Sequence, residues 1–212
     1  MIWDMDGTLV DSEPEILATI QKALAMIELT VTQAQEPLRI GPPLPVMLRT
    51  AFSEEVLSNE KLDEVVGAFR KIYDASEFEE TKPFDGIDEI IRSGEFVHHV
   101  ITNKPDFATR RIIDKKGWIP FINDVLSPDT LMKETGRQMK KPELFQYFRT
   151  NNPDIAVVGI GDMAGDAICA KTVGIPAIGV LWGTGTKSEL EDAGCNAIVK
   201  TVVELREVLG KF

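Results

Sequence analysis

Short apolar runs alternate with helical patterns through the second half of the chain. This alternation is typical of βα units, in which parallel strands form a sheet and the connecting helices cover it. The runs predict strands at Phe96–Thr102, Asp124–Leu126, Ile155–Ile160, Pro176–Leu181 and Ala197–Val199, and a short apolar start at residues 1–3 predicts a first strand. Polar or glycine-rich sequence follows these strands, and open α/β sheets place their ligand sites at such strand ends.

Residues 13–82 follow a different pattern. Apolar residues recur there at helical spacing, for example at Ile16, Ile20 and Leu24 and again at Leu62, Val65 and Phe69. No apolar run in this block predicts a strand of comparable strength. We therefore expect an α/β protein with a Rossmann-like parallel sheet, helices on both faces, and a helical insertion after the first strand.

Composition and charge exclude several classes of protein. The 212 residues are 43% hydrophobic and 27% charged, which is globular composition, and the net charge of −11 argues against binding to nucleic acid or to a membrane surface. Cys169 and Cys195 fit neither a disulfide framework nor a zinc site. The sequence has no signal-peptide pattern and no apolar run long enough to cross a membrane, so a cytoplasmic location is expected.

Two acidic clusters follow predicted strands. Asp4 and Asp6 are two apart on an extended chain and face the same way before Gly7 turns it, and Asp162 and Asp166 are four apart where a helix would begin. Four carboxylates at neighbouring strand ends would repel each other unless a divalent cation lay among them, and hard oxygen ligands favour Mg²⁺. Each cluster taken alone could instead be acidic residues at a helix N-terminus.

Hydrogen-bond donors suited to phosphate oxygens stand at two further places. Thr102 and Asn103 end another predicted strand, and Lys140 and Lys141 precede a helix expected to begin near Glu143. A lysine at a helix start could reach the strand ends, although a solvated lysine pair and an ordinary polar loop are the simpler interpretations.

Taken together, these pieces resemble the haloacid dehalogenase superfamily, in its phosphatase branch. The first family motif, Asp-x-Asp-Gly-Thr, is matched by Asp4, Asp6, Gly7 and Thr8; the second by Thr102; the third by Lys141, with Lys140 as the fallback; and the acidic fourth by Asp162 and Asp166. The resemblance implies a catalytic core of residues 1–12 and 83–212. Residues 13–82 would then be a small helical cap domain.

The resemblance also implies a mechanism. Asp4 would be the nucleophile that forms an aspartyl-phosphate, and Asp6 would be the general acid and base. Thr102, Asn103 and Lys141 would bind the phosphate. Mg²⁺ would be held by Asp4, the backbone carbonyl of Asp6 and Asp162, with Asp166 either binding the ion or supporting its ligands.

The substrate would be a small phosphorylated metabolite, because the string Ile101–Pro105 is similar to that of phosphoglycolate phosphatases. A phosphomutase of the same superfamily, or a phosphate-binding scaffold without turnover, remains an alternative. The protein would be a monomer or a homodimer.

Two competing motifs match less well. Gly159–Ala164 satisfies the dinucleotide-binding pattern G-x-G-x-x-A, but no acidic residue ends the next predicted strand. Residues 4–15 place oxygen ligands at EF-hand spacing, but Leu9 stands where that loop needs glycine. One departure from the family pattern is the first strand, since three residues precede Asp4 where a normal strand has about 5 to 6.

Overall fold

A six-stranded parallel sheet forms the centre of the protein in this computed structural model, which describes residues 1–210. In chain order the strands are β1 (Ile2–Trp3), β2 (Val10–Asp11), β3 (Lys82–Pro83), β4 (His98–Ile101), β5 (Ile122–Leu126), β6 (Gly159–Gly161), β7 (Ala177–Val180) and β8 (Ala197–Val199). The sheet has the order β5-β4-β1-β6-β7-β8, and β2 pairs with β3 as an antiparallel ribbon. The predicted α/β class with a parallel sheet is confirmed.

Helices lie between the strands along the chain. They are α1 (Glu13–Ala25), α2 (Leu44–Ala51), α3 (Asn59–Asp74), α4 (Ile87–Arg92), α5 (Asp106–Lys115), α6 (Met132–Thr135), α7 (Lys141–Asn151), α8 (Ala164–Thr172), α9 (Lys187–Asp192) and α10 (Val202–Leu209), with 3₁₀ turns at Val31–Gln33 and Ile119–Phe121. Helix α7 begins two residues before the predicted Glu143, because Pro142 is well suited to the first turn of a helix. Among residues 1–210, no helix is long and apolar enough to cross a membrane.

The chain divides into two compact units, residues 1–11 with residues 82 onward, and residues 12–81. These boundaries lie one residue from those of the 13–82 insertion, and the last two residues of the predicted core, 211 and 212, lie outside the described part. The second unit contains α1, α2 and α3, and α1 packs against α3. Its ends are tied together by Glu15, which accepts hydrogen bonds from the hydroxyl and the backbone N–H of Thr81 at 2.7 and 3.2 Å.

The short first strand lies in the middle of the sheet. Trp3 pairs with Val100 on β4 and with Ile160 on β6, and the ladder continues into Asp4, whose N–H donates to the Ile160 carbonyl at 2.9 Å. The Trp3 side chain is fully buried and its indole N–H donates to Nδ1 of His98 at 3.0 Å. Two residues therefore suffice for this strand because neighbours pair with it on both sides.

Two predicted strands extend too far toward the N-terminus. The run Ile155–Ile160 predicts a buried strand, but β6 begins at Gly159 and the side chain of Ile155 is 43% exposed. Similarly, β4 begins at His98 and leaves Val97 exposed. In both cases an exposed apolar residue precedes the strand, which hydropathy alone cannot distinguish from a buried strand residue.

Helices α7 and α8 pack together over the sheet and form its core cluster. The side chains of Phe145 and Phe148 from α7 meet Cys169 and Ala170 from α8 and Ile101 from β4. This packing fixes the first residues of α7 and α8 above the carboxyl ends of the central strands.

Candidate active site

The turn after β1 places the first acidic cluster at the carboxyl edge of the sheet. The Met5 carbonyl accepts hydrogen bonds from the N–H groups of Leu9 and Val10, and Gly7 has a positive φ of 79° that favours glycine. A Cβ atom built on Gly7 would lie 2.4 Å from the carboxylate of Asp162. Gly7 is therefore needed both for the turn and for the close approach of the second acidic cluster.

The second cluster is held by the start of α8. Asp162 directly follows β6, and Asp166 lies in the first turn of α8 with Oδ2 accepting the N–H of Met163 at 3.0 Å. Acidic residues at this position also interact favourably with the helix dipole. Asp166 is therefore an acidic residue at a helix start, and its other oxygen, Oδ1, contacts Lys141 in the acidic cluster.

Three carboxylates meet at this edge. Asp4, Asp162 and Asp166 are 6%, 1% and 8% exposed, and each offers an oxygen atom within 4.8 Å of those of the other two. Burial raises the pKa of Asp4 to about 6, with further contributions from Asp166 and Asp6, although Lys141 acts in the opposite direction. Burial and the charge of Asp4 likewise raise the pKa of Asp162 to about 6.

Lys141 is the cation that the structure places among these acids. Its Nζ donates to Asp166 Oδ1 at 2.5 Å and forms an ion pair with Asp4 Oδ1 at 2.7 Å. Burial lowers the pKa of Lys141, but the two carboxylates outweigh it and the pKa is raised above its ordinary value. Lys140 is exposed, so of the two lysines at this helix start it is Lys141 that enters the cluster.

The cluster fits a divalent cation. Three carboxylates and one ammonium leave two uncompensated negative charges in a buried place, and Asp4 Oδ1 makes no hydrogen bond beside its ion pair. Carboxylate oxygens are the ligands that hard cations such as Mg²⁺ prefer.

Thr102 and Asn103 follow β4, the neighbour of β1. The Thr102 side chain is buried and its oxygen accepts the N–H of Lys104 at 3.1 Å, whereas Asn103 is half-buried. Both stand at the same edge of the sheet as Asp4, on the adjacent strand.

Asp6 is paired with a lysine that the sequence analysis did not select. The Nζ of Lys104 donates to both carboxylate oxygens of Asp6, at 2.8 and 3.0 Å, and the Lys104 side chain is buried. The available signal was its position two residues after Thr102 at a strand end, but a lysine in a loop is ordinarily solvated.

Asp162 is also held by Thr8, the last residue of the first motif, and by Thr184, for which the sequence predicts no role. Oδ1 accepts the hydroxyl of Thr8 at 3.1 Å, and Oδ2 accepts the backbone N–H and the hydroxyl of Thr184 at 2.9 and 3.2 Å. The indole N–H of Trp182 donates to the Thr8 carbonyl at 3.0 Å. The loop after β7 is therefore part of the site.

The competing motifs do not form the sites that they suggest. Residues 4–15 comprise a turn, β2 and the start of α1, which is not an EF-hand loop. In the G-x-G-x-x-A segment, the space in front of Gly161 is filled by the Asp166 side chain, with atoms 2.3 Å from a built Cβ.

A parallel sheet that presents three carboxylates and a buried lysine at its carboxyl edge is the arrangement expected of a hydrolase of the haloacid dehalogenase type. The family model described as haloacid dehalogenase-like hydrolase matches residues 1–180, and the chain belongs to this family.

Curated relatives indicate which kind of hydrolase this chain is. A phosphoglycolate phosphatase of Xylella fastidiosa (strain 9a5c) is 30% identical over 189 residues, which cover 86% of this chain and 80% of the relative. A phosphoglycolate phosphatase of Vibrio cholerae is 24% identical over 217 residues, with 98% and 95% coverage. The family and these relatives show that the chain is a phosphatase, a hydrolase that acts on phosphoric monoesters.

Solved structures share the fold. A predicted phosphatase from Clostridium acetobutylicum superposes with a TM-score of 0.82 at 24% identity, covering 100% of this chain and 97% of the other. A haloacid dehalogenase-like hydrolase from Streptococcus pneumoniae gives 0.81 at 20% identity, with 98% and 96% coverage.

Proposed function

We propose that this phosphatase depends on Mg²⁺ and hydrolyses a small phosphomonoester through an aspartyl-phosphate on Asp4, with phosphoglycolate as the substrate to test first. One observation carries the proposal. The buried Asp4 carboxylate forms an ion pair with the buried Lys141 and lies within 4.8 Å of two further carboxylates. This arrangement supports the proposal because side chains suited to act as a nucleophile, as a phosphate-binding cation and as metal ligands lie together.

The residues that would hold Mg²⁺ are Asp4, Asp162 and Asp166, with the backbone carbonyl of Asp6. When bound, the ion supplies positive charge that reduces repulsion between an anionic nucleophile and an anionic phosphoryl group. The acidic cluster is buried and has a net negative charge, which favours the binding of a divalent cation.

Asp4 is suited to attack phosphorus. Even in the metal-free cluster, where burial raises its pKa to about 6, the Asp4 carboxylate is mostly ionised at neutral pH. In the first step a carboxylate oxygen of Asp4 bonds to phosphorus as the ester P–O bond breaks. The aspartyl-phosphate so formed divides one difficult displacement into two easier ones.

Asp6 would move the proton in both steps. In its protonated form Asp6 donates a proton to the departing alkoxide oxygen, and the resulting carboxylate then takes a proton from the water molecule that attacks phosphorus. This second step releases inorganic phosphate and restores the Asp4 carboxylate. Such proton transfer contributes about 10²- to 10⁴-fold to rate. Lys104, which binds both Asp6 oxygens, holds that carboxylate in one orientation.

The phosphate would be bound by Lys141, Thr102 and Asn103. The Thr102 oxygen already accepts the Lys104 N–H, so its own O–H is available to donate to a phosphate oxygen. Lys141 contributes a charge-assisted contact, the stronger kind of hydrogen bond.

Residues 13–82 would act as a cap that excludes water and selects the leaving group. Their helical unit carries none of the proposed catalytic residues, which all lie in residues 1–11 and 82 onward. Lids of this kind protect reactive intermediates from side reactions.

A turnover screen tests the proposal. Inorganic phosphate release is measured with phosphoglycolate, hexose phosphates, nucleotides and pyrophosphate, with Mg²⁺ or with EDTA. We expect the highest kcat/KM for phosphoglycolate, and loss of turnover in EDTA and in Asp4→Asn but not in Asp154→Asn, which changes an exposed aspartate.

Full activity in EDTA would contradict the metal dependence, and a higher kcat/KM for another phosphoester would contradict the substrate. Conversion of a hexose phosphate to its isomer without phosphate release would identify a mutase. Phosphate binding with no turnover of any kind would identify a scaffold.

A further inference from the structure

The loop after β7, residues 181–186, is built against Asp162. A Cβ atom on Gly183 would lie 2.3 Å from the Gly7 carbonyl oxygen, and one on Gly185 would lie 1.7 Å from the Asp162 carbonyl oxygen. Side chains are therefore excluded on both sides of Thr184, and its backbone and hydroxyl can reach the Asp162 carboxylate.

Hydrogen bonds distinguish the two oxygens of Asp162. Oδ2 accepts the backbone N–H of Thr184 at 2.9 Å and lies 3.2 Å from the Thr184 hydroxyl, which also lies 3.3 Å from Met163 Sδ, whereas Oδ1 accepts the Thr8 hydroxyl at 3.1 Å. A carboxylate has about four acceptor positions, two on each oxygen. Thr184 thus holds Oδ2, and Oδ1, which accepts a single donor, retains a position that can bind a cation.

We propose that Thr184 is a positioning residue of the metal site, which orients Asp162 so that a single oxygen, Oδ1, is presented to the cation. The inference rests on the metal-dependent function proposed above. It extends that function by proposing that Thr184, which does not itself bind the cation, contributes to the preference for Mg²⁺ over other cations.

A single presented oxygen favours Mg²⁺ over Ca²⁺. Mg²⁺ requires a compact octahedron, whereas Ca²⁺ accepts more ligands and often binds both oxygens of one carboxylate. Residues that orient metal ligands typically contribute 10- to 100-fold in affinity. Removing the Thr184 hydroxyl would loosen Oδ2 and so harm Mg²⁺ binding more than Ca²⁺ binding.

The test is calorimetric titration of the whole protein, freed of metal with a chelator, with MgCl₂ and separately with CaCl₂. We expect Thr184→Val to weaken Mg²⁺ about tenfold and Ca²⁺ less, so that the preference for Mg²⁺ falls. Thr184→Ser keeps both donors and should resemble the wild type. Thr184→Ala replaces the valine variant if circular dichroism shows that the latter does not fold.

Thr130→Val is the matched control. Thr130 is likewise half-buried and donates its hydroxyl to a carboxylate, Asp106 Oδ1, at 3.2 Å, but it is not part of the metal site. The Thr130→Val protein should bind Mg²⁺ and Ca²⁺ with the same affinities as the wild type.

The outcomes separate the inference from the function on which it rests. If the wild type binds Mg²⁺ and Thr184→Val binds it equally well, or if the variant loses Mg²⁺ and Ca²⁺ affinity to the same extent, the positioning role is wrong while the metal site stands. If the wild type binds no Mg²⁺, the proposed metal dependence fails and this inference fails with it.

Discussion

Asp4→Asn should make the metal-free protein more stable while it removes catalysis. Asp4 belongs to a buried cluster of three carboxylates and one ammonium, and its pKa is raised from the ordinary 3.8 to about 6. The ionised form is therefore less favourable in the folded chain than in the unfolded chain. Asparagine has nearly the same volume without the charge.

The size of the effect follows from the pKa. One pKa unit corresponds to about 1.36 kcal/mol, so a rise from 3.8 to about 6 costs the folded wild type about 3 kcal/mol at pH 7. For a chain of this size about 3 kcal/mol corresponds to roughly 6 to 12 °C in Tm. This figure already includes the charge of Lys141, because the Asp4 pKa of about 6 is the result of burial, which raises it, and of Lys141, which lowers it.

The pH dependence has a definite sign. Because the folded pKa is raised, the penalty is complete above about pH 6 and disappears as the pH falls below 3.8, where Asp4 is protonated in both states. The stability advantage of Asp4→Asn should therefore be largest at pH 7 to 8 and vanish near pH 4. Mg²⁺ should reduce it, since a ligand that binds the folded wild type stabilises it.

The assay is thermal unfolding followed by circular dichroism, in EDTA and in Mg²⁺, from pH 4 to pH 8. Asp154→Asn, which changes an exposed aspartate, serves as the control and should show no such pattern. An Asp4→Asn protein that unfolds at a lower temperature than the wild type in EDTA at pH 7.5 would refute the reasoning. So would a difference in Tm that does not change with pH.

Three further predictions concern lysines and a histidine. Lys141→Met should abolish phosphate release, whereas Lys140→Met should retain it, because of these two lysines it is Lys141 that contacts Asp4. Loss of phosphate release in both variants would contradict the role assigned to Lys141. Lys104→Met should lower kcat about tenfold, which is a fraction of the general acid–base contribution to rate, because both oxygens of Asp6 lose their contact with Lys104. Lys133→Met, which changes an exposed lysine, is the control. An unchanged kcat would contradict the role of Lys104. Burial lowers the pKa of His98 to about 4, so the contribution of His98 to stability should be lost as the pH falls from 6.5 to 4. In urea unfolding the stability of His98→Gln relative to the wild type should therefore rise over this range; a constant difference between the two proteins would contradict this.

The sheet and most of the proposed site could be predicted from the sequence because both depend on local signals. Asp4 and Asp6 directly follow an apolar start, and Asp162 and Asp166 directly follow another apolar run, so parallel pairing brings both clusters to one edge. The position of Lys141 at the start of α7 could be inferred in the same way, because Pro142 marks a helix beginning.

Long-range partners could not be inferred. Lys104 and Asp6 are 98 residues apart, and Thr8 and Asp162 are 154 residues apart. Nothing in the sequence around Thr184 indicates that its hydroxyl meets Asp162, because that contact depends on the paths of two loops. The start of β6 was also missed, since an exposed isoleucine and a buried one look alike in sequence.

The central claim is that phosphoryl transfer proceeds through Asp4, and chemical trapping tests it most directly. The protein is mixed with phosphoglycolate and Mg²⁺, quenched in acid within the first turnover and digested, and the peptides are sequenced by mass spectrometry. Asp6→Asn is used beside the wild type because it should slow hydrolysis of the intermediate. We predict a phosphoryl group on Asp4, increased in Asp6→Asn and absent in Asp4→Asn. Phosphate release by the wild type with the phosphoryl group on another residue, or undiminished turnover by Asp4→Asn, would contradict the claim.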